Sequence, residues 1–175
     1  DRLYGGMGND RLTGGIGSDN LYGEDGNDLF LVNGDADGID GGSGTDVLDF
    51  GDYYYLRASS GITMDLVALW RGGAGSINGA SIVNVEIVSR ISGTNFNDQL
   101  SIGDIDTAQY SNGSGIFLYD GDDVANGGAL SDRFNGGAGD DILSGGDGAD
   151  ILDGGEGRDS LNGGGGDDFI EVGAG

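Results

Sequence analysis

The chain has no cysteine, histidine, proline or lysine among its 175 residues. Without cysteine there is no disulfide and no thiolate metal site, and without histidine there is no imidazole ligand. The same two absences remove Ser-His-Asp and Cys-His catalysis from these residues. Lack of proline excludes a collagen-like triple helix. Positive charge is scarce: seven arginines face 31 acidic residues, for a formal charge of −24. Such a chain repels nucleic acid and anionic lipid, so neither is expected as a partner. No apolar run is long enough to span a bilayer, so no direct membrane insertion is expected, and no secretory leader is visible.

What is abundant is glycine and aspartate. There are 41 glycines, and the acidic set is 27 Asp to only 4 Glu. Glycine-rich, highly charged composition is also that of disordered chains. Here, however, the glycines are in register. From Gly136 to Glu171 the chain reads GGAGDDILS, GGDGADILD, GGEGRDSLN, GGGGDDFIE, four nine-residue units without a gap. Each opens Gly-Gly and has Gly fourth, Asp sixth and an aliphatic residue eighth. A fixed period of this kind identifies a stacked architecture before any single residue does.

The unit recurs in two blocks. Sixth positions in the first are Asp1, Asp10, Asp19, Asp28, Asp37 and Asp46, and in the second Asp123, Asp132, Asp141, Asp150, Asp159 and Asp168. Eighth positions are apolar throughout, from Leu3, Leu12 and Leu21 to Leu152, Leu161 and Ile170. Position five, by contrast, accepts Asn9, Ala36, Ser131 and Arg158. A position that tolerates Ala and Arg is not read as a ligand; one that is always Asp is. Glycines permit positive φ in a tight turn and let carbonyls approach an ion. A Ca²⁺ ion takes about six to eight oxygens from carboxylates and carbonyls. One turn cannot supply them, so two turns are expected to share an ion. Residues seven to nine then run extended with residue eight inward, and each unit stacks on the next but one at about 4.8 Å.

These residues resemble the RTX (repeats-in-toxin) hemolysin-type calcium-binding nonapeptide repeats. The resemblance implies an all-β fold, a right-handed parallel β-roll (a β-solenoid), with several Ca²⁺ ions between successive turns. Two repeat blocks, residues 1–49 and 118–175, are expected to flank a β-rich spacer over 50–117 that continues the solenoid. Both ends of the chain fall inside repeats, as in a piece of a longer array. Expected metal ligands are Asp1, Asp10, Asp19, Asp28, Asp46, Asp132, Asp141, Asp150, Asp159 and Asp168. Asp37, Asp98 and Asp123 lie in or beside irregular turns and read equally as ligands or as plain turn residues. The unit at Val32 has Val32-Asn33 for Gly-Gly and Asp35 for the fourth glycine; Leu130 replaces that glycine in another. Asn33–Gly38 also resembles the start of an EF-hand loop, but Gly44 stands where that loop needs its bidentate Glu.

In the spacer, Ile62, Met64 and Leu66 alternate as a half-buried strand. Val83, Val85, Ile87 and Ile91 alternate as a second, which puts Glu86 and Arg90 on its solvent face. Gly93–Ser101 is itself repeat-like, with Asp98 sixth and Leu100 eighth. Residues 102–117 read as irregular β coil, with Asp104 or Asp106 as candidate ion contacts. Tyr53-Tyr54-Tyr55 and Trp70 read as packing at a coil end, with a sugar-binding platform, and so contact with a surface polysaccharide, as the alternative.

Electrostatics predicts a folding switch. Aligned carboxylates about 5 Å apart repel by roughly 1 kcal/mol per pair in water. One inward aliphatic per strand opposes this with about 1.5–3 kcal/mol, against backbone entropy of about 1–2 kcal/mol per residue. The ion-free array is therefore expected to be largely unfolded. The function expected is that of a non-catalytic calcium-binding module of an exported bacterial protein, secreted or at the cell surface. The resemblance implies type I secretion machinery as a partner. An accessory region of a secreted hydrolase or epimerase, with its active site elsewhere, or part of an adhesin or surface-layer protein are the alternatives. Absence of lysine leaves no acylated-lysine site of the kind that pore-forming relatives carry.

Overall fold

The computed structural model describes residues 1–32, 35–50, 60–69, 73–104 and 115–175. Its regular elements are strands, most of them placed where the repeat puts residues seven to nine. The first block forms β1 (Arg2–Met7), β2 (Arg11–Thr13), β3 (Asn20–Asp25), β4 (Leu29–Leu31), β5 (Gly38–Asp40) and β6 (Val47–Asp49). The spacer forms β7 (Thr63–Asp65), β8 (Gly75–Ile77), β9 (Ala80–Val83), β10 (Ile87–Ser89), β11 (Gln99–Ser101) and β12 (Ile116–Phe117). The second block forms β13 (Val124–Asn126), β14 (Arg133–Ala138), β15 (Ile142–Asp147), β16 (Ile151–Glu156), β17 (Ser160–Gly165) and β18 (Phe169–Glu171).

Alternate strands go to opposite faces, so two nonapeptides make one coil. Leu3 pairs with Leu21, Leu12 with Phe30, Phe134 with Leu152 and Leu143 with Leu161, each 18 residues apart and parallel. One face is a ten-stranded sheet, β1-β3-β5-β9-β8-β7-β11-β13-β15-β17, that crosses both blocks and the spacer. The other face holds two four-stranded sheets, β10-β6-β4-β2 and β12-β14-β16-β18. Between the faces lies a single core of eighth-position side chains, including Leu12, Leu21, Phe30, Leu48, Leu100, Phe134, Leu143 and Leu152. The parallel β-roll is thus the architecture, stacked as the period requires.

The spacer continues this stack by an inserted hairpin. Strand β8 runs antiparallel to both β7 and β9, which leaves those two parallel to the rest. Asn78 and Gly79 join β8 to β9 with φ of +49° and +81°, the left-handed pair that a two-residue hairpin turn requires. Asn78 also caps the neighbouring strand, accepting from Thr63 N at 2.8 Å through its side chain. One strand expectation is corrected. The inward set is Ile82, Val85, Val88 and Ile91, all buried, while Val83 and Ile87 are half-buried. A corner at Asn84, φ +53°, splits the segment into β9 and β10, so a period of two does not run through it.

Position one carries a second signal. Val32, Phe50, Ile102 and Leu118 stand where regular units have their first glycine, and all four are buried in the core. These units exchange a glycine of the turn for apolar volume at the corner of the coil.

Candidate metal centres

The sixth-position Asp side chains form ladders up the roll. In each pair the Oδ1 of one Asp accepts from the backbone N–H of the Asp one coil earlier. Asp10 N reaches Asp28 at 2.8 Å, Asp19 N reaches Asp37 at 2.9 Å and Asp28 N reaches Asp46 at 2.8 Å. In the second block Asp98 N reaches Asp123 at 2.7 Å, Asp123 N reaches Asp141 at 2.8 Å and Asp132 N reaches Asp150 at 2.8 Å. Asp141 N and Asp150 N reach Asp159 and Asp168, both at 3.0 Å. The nitrogen of Asp1 is likewise bonded to Asp19 Oδ1, and the Asp1 side chain itself is exposed.

The other carboxylate oxygen is the one that matters for a cation. Oδ2 of Asp10, Asp19, Asp28, Asp37, Asp46, Asp123, Asp141, Asp150 and Asp159 is buried with no hydrogen-bond partner. Leaving a buried acceptor unsatisfied costs about 1–3 kcal/mol, and more for a charged group. Each such oxygen in the regular units abuts the first glycine of its own unit. A Cβ on Gly136 would overlap Asp141 Oδ2 and come within 2.5 Å of the Gly154 carbonyl of the next coil. The β14–β16 register skips this Gly136–Gly154 pair. An unpartnered carboxylate oxygen and an adjacent carbonyl therefore face one small space per turn. No three acidic side chains among the described residues converge on one point. The donor set is one carboxylate per turn with backbone carbonyls, all hard oxygens, which fits Ca²⁺.

Burial also raises the affinity of these groups for protons. Asp123 is pushed up to about 8 and Asp141 to about 6, both chiefly by desolvation, with neighbouring Asp charges adding to it. Asp37, Asp46, Asp98 and Asp150 are raised for the same main reason. A cation beside Oδ2 would supply the compensation that the ion-free carboxylates lack.

Not every sixth-position Asp is arranged alike. Asp37 and Asp123 keep the orphaned Oδ2 of the regular units, despite their irregular first positions. Asp98 does not: its Oδ1 accepts from Ile62 N at 2.7 Å and its Oδ2 from Thr94 N at 2.6 Å. Asp132 Oδ2 accepts from Gly128 N at 2.9 Å, in the unit where Leu130 replaces the fourth glycine. Asp168 is half-buried, with its Oδ2 against Gly163. Asp104 accepts from Ala129 N at 3.0 Å. Asn33, Gly34, Tyr53, Tyr54, Tyr55, Trp70 and Asp106 lie outside the described residues.

Two roles escape sequence reasoning. Position five, variable in type, is a second ladder running the opposite way. Asn9 Oδ1 accepts from Asn27 N, and Asn27 Oδ1 from Thr45 N, each at 2.9 Å. Asp122 takes Asp140 N at 2.9 Å and Asp140 takes Arg158 N at 3.0 Å. Ala and Arg appear there because the backbone N–H is what each coil must donate. The frequency of Asn, Asp and Ser at that position was the available signal. Second, Glu86 is not a plain solvent-face residue: its Oε2 accepts from Asp46 N at 2.7 Å.

Comparison with known proteins bears on these turns directly. No curated protein matches the chain. The crystal structure of extracellular lipase LipA from Serratia marcescens matches at 23% identity, over 98% of this chain and 33% of the lipase chain, with a TM-score of 0.33. The chain thus spans about a third of that lipase. The pattern of the RTX calcium-binding nonapeptide repeat matches in four copies, at residues 1–21, 13–48, 117–152 and 144–175. Those four copies cover more than half of the sequence and every sixth-position Asp except Asp98, so the chain belongs to the RTX calcium-binding nonapeptide repeat family.

Proposed function

We propose that this chain is a structural, non-catalytic module of an exported bacterial protein, which binds several Ca²⁺ ions and becomes a rigid β-roll when it meets them outside the cell. The single observation that carries the reading is the set of nine buried, unpartnered Asp Oδ2 atoms among the described residues, which recur along the sixth-position ladders. Ten Asp serve as ligands in this reading: the nine of that set together with Asp168. Asp1 belongs to the same ladder, while Asp98 and Asp132 act mainly as turn braces. In a folded roll without cations the carboxylates would repel one another and stay desolvated; with cations, each turn gains a partner for its orphaned oxygen. If affinities are near 10⁻⁴–10⁻³ M, millimolar Ca²⁺ stabilises each site by about 0.4–1.4 kcal/mol, added along the stack. A chain loose at low calcium and rigid at high calcium suits passage through type I secretion machinery before folding.

The test is far-UV circular dichroism of this chain during a Ca²⁺ titration. A gain of β signal by about 10 mM is expected. Mg²⁺ should give much less, because it demands tight octahedral geometry and sheds water reluctantly. No gain in either ion would sink the proposal.

A further inference from the structure

The first block ends against the spacer, and the contact there copies a repeat turn with three residues missing. Val83 lies opposite Asp40, and Gly41 N donates to Val83 O at 3.1 Å. That is the bond a first-position residue makes to a ninth, as Gly127 N makes to Ser144 O at 2.9 Å. Asn84 therefore occupies position one. Its carbonyl fills the space of a Cβ on Gly41 beside Asp46 Oδ2, just as the Gly41 carbonyl does at Gly23 beside Asp28 Oδ2.

Ile87 pairs with Val47, a seventh-position residue, and its N–H donates to Asp46 O at 3.0 Å. Glu86 is thus the sixth-position residue of this coil. Regular units place four residues between first and sixth; here only Val85 intervenes. Glu86 N donates to the same carbonyl, Asp46 O, at 3.2 Å. Glu86 Oε2 accepts from Asp46 N at 2.7 Å, as Asp46 Oδ1 accepts from Asp28 N at 2.8 Å one coil earlier. Asp46 is fully buried at 0% exposure, and its Oδ2 has no partner.

We infer that Asp46, Glu86 and the Asn84 carbonyl form a seam site for a divalent cation of the Ca²⁺ type, made half by the first repeat block and half by the spacer. This rests on the proposed reading of the Asp ladders as calcium ligands and extends it beyond the repeats. Residues 84–86 fall outside the matched repeats, so no repeat pattern assigns them a ligand. Glu86 is exposed, so water completes the shell from that side, as Ca²⁺ readily accepts. The ion would fasten the spacer to the end of the first block.

The experiment is Ca²⁺ titration of the whole chain by calorimetry, comparing the unsubstituted protein with Glu86→Gln. Glutamine keeps an oxygen for Asp46 N but loses the charge. One site should vanish or weaken about tenfold or more, with the far-UV spectrum at saturating Ca²⁺ unchanged. Identical stoichiometry and affinity would overturn the seam site alone. A chain that binds no Ca²⁺ at all would instead remove the reading beneath it. Should Glu86→Gln not fold, crystals of the unsubstituted chain grown in CaCl₂ decide the matter. An anomalous peak between Asp46 and Glu86 supports the site; peaks at other coils and none here overturn it.

Discussion

A Cβ on Gly136 would overlap Oδ2 of Asp141, the sixth residue of its own unit. The first glycine of the repeat is therefore a matter of space, since no positive φ is required there. Gly136→Ala should destabilise the calcium-loaded roll by about 1–3 kcal/mol through overpacking and weaken Ca²⁺ binding. Gly6 makes the contrast. Its φ is +101°, but nothing lies within 4 Å of a Cβ there. Gly6→Ala should cost about 1–2 kcal/mol of backbone strain with Ca²⁺ affinity kept. Urea denaturation with calorimetry separates the two, and equal Ca²⁺ affinities would refute the spatial argument.

Protons should compete with calcium. Asp123 has a folded pKa of about 8 against an ordinary 3.8, raised mainly by burial. Below about 4 both folded and unfolded forms hold this proton. Between there and about 8 only the folded form does, so ion-free stability falls as pH rises through that window. Asp141, at about 6, adds a narrower window of the same sign. Calcium-free chain should show more β signal by circular dichroism at pH 4.5 than at pH 8.5. Ca²⁺ affinity should run the opposite way, rising with pH as protons leave the proposed ligands.

Charge and hydrogen bonding can be separated at Asp150. Asp150→Asn retains an oxygen to accept from Asp132 N, a bond of 2.8 Å, yet removes the carboxylate. Ca²⁺ binding should weaken with the folded spectrum recovered at higher calcium. Ala149→Ser, at the neighbouring variable position, should leave binding unchanged. Matching calorimetric titrations for the two variants would mean that position six is not the ligand.

The position-five ladder predicts a purely structural effect. Asn27→Ala deletes the acceptor for Thr45 N. The loss should be about 0.5–1.5 kcal/mol in the calcium-loaded state, read by thermal melting, with the number of bound ions unchanged. A lost ion would give position five a direct part in coordination.

Much of this molecule is local enough to be read from sequence. A nine-residue period leaves residue eight no choice of side, so Leu21, Phe30, Leu143 and Leu152 enter the core wherever two units stack. The same period brings Asp10 beside Asp28 and Asp132 beside Asp150, because a two-unit coil repeats every 18 residues. Even the irregular Asp37 and Asp123 keep their place, since the coil above fixes the backbone on which they sit.

Tertiary structure decided what no period contains. Asp46 meets Glu86 at a separation of 40 residues, and Ile62 meets Asp98 at 36. Such pairings depend on where an aperiodic spacer lands, and the antiparallel strand β8 sets that landing. Asp132 matches its neighbours letter for letter at position six, yet its second oxygen is engaged by Gly128 N. By itself the sequence determined the coil, its core and the row of carboxylates, because those follow from contacts between equivalent residues of stacked units. Which carboxylates keep an oxygen free, and what closes the end of a ladder, depended on contacts between residues that are not equivalent, and only folding brings those together.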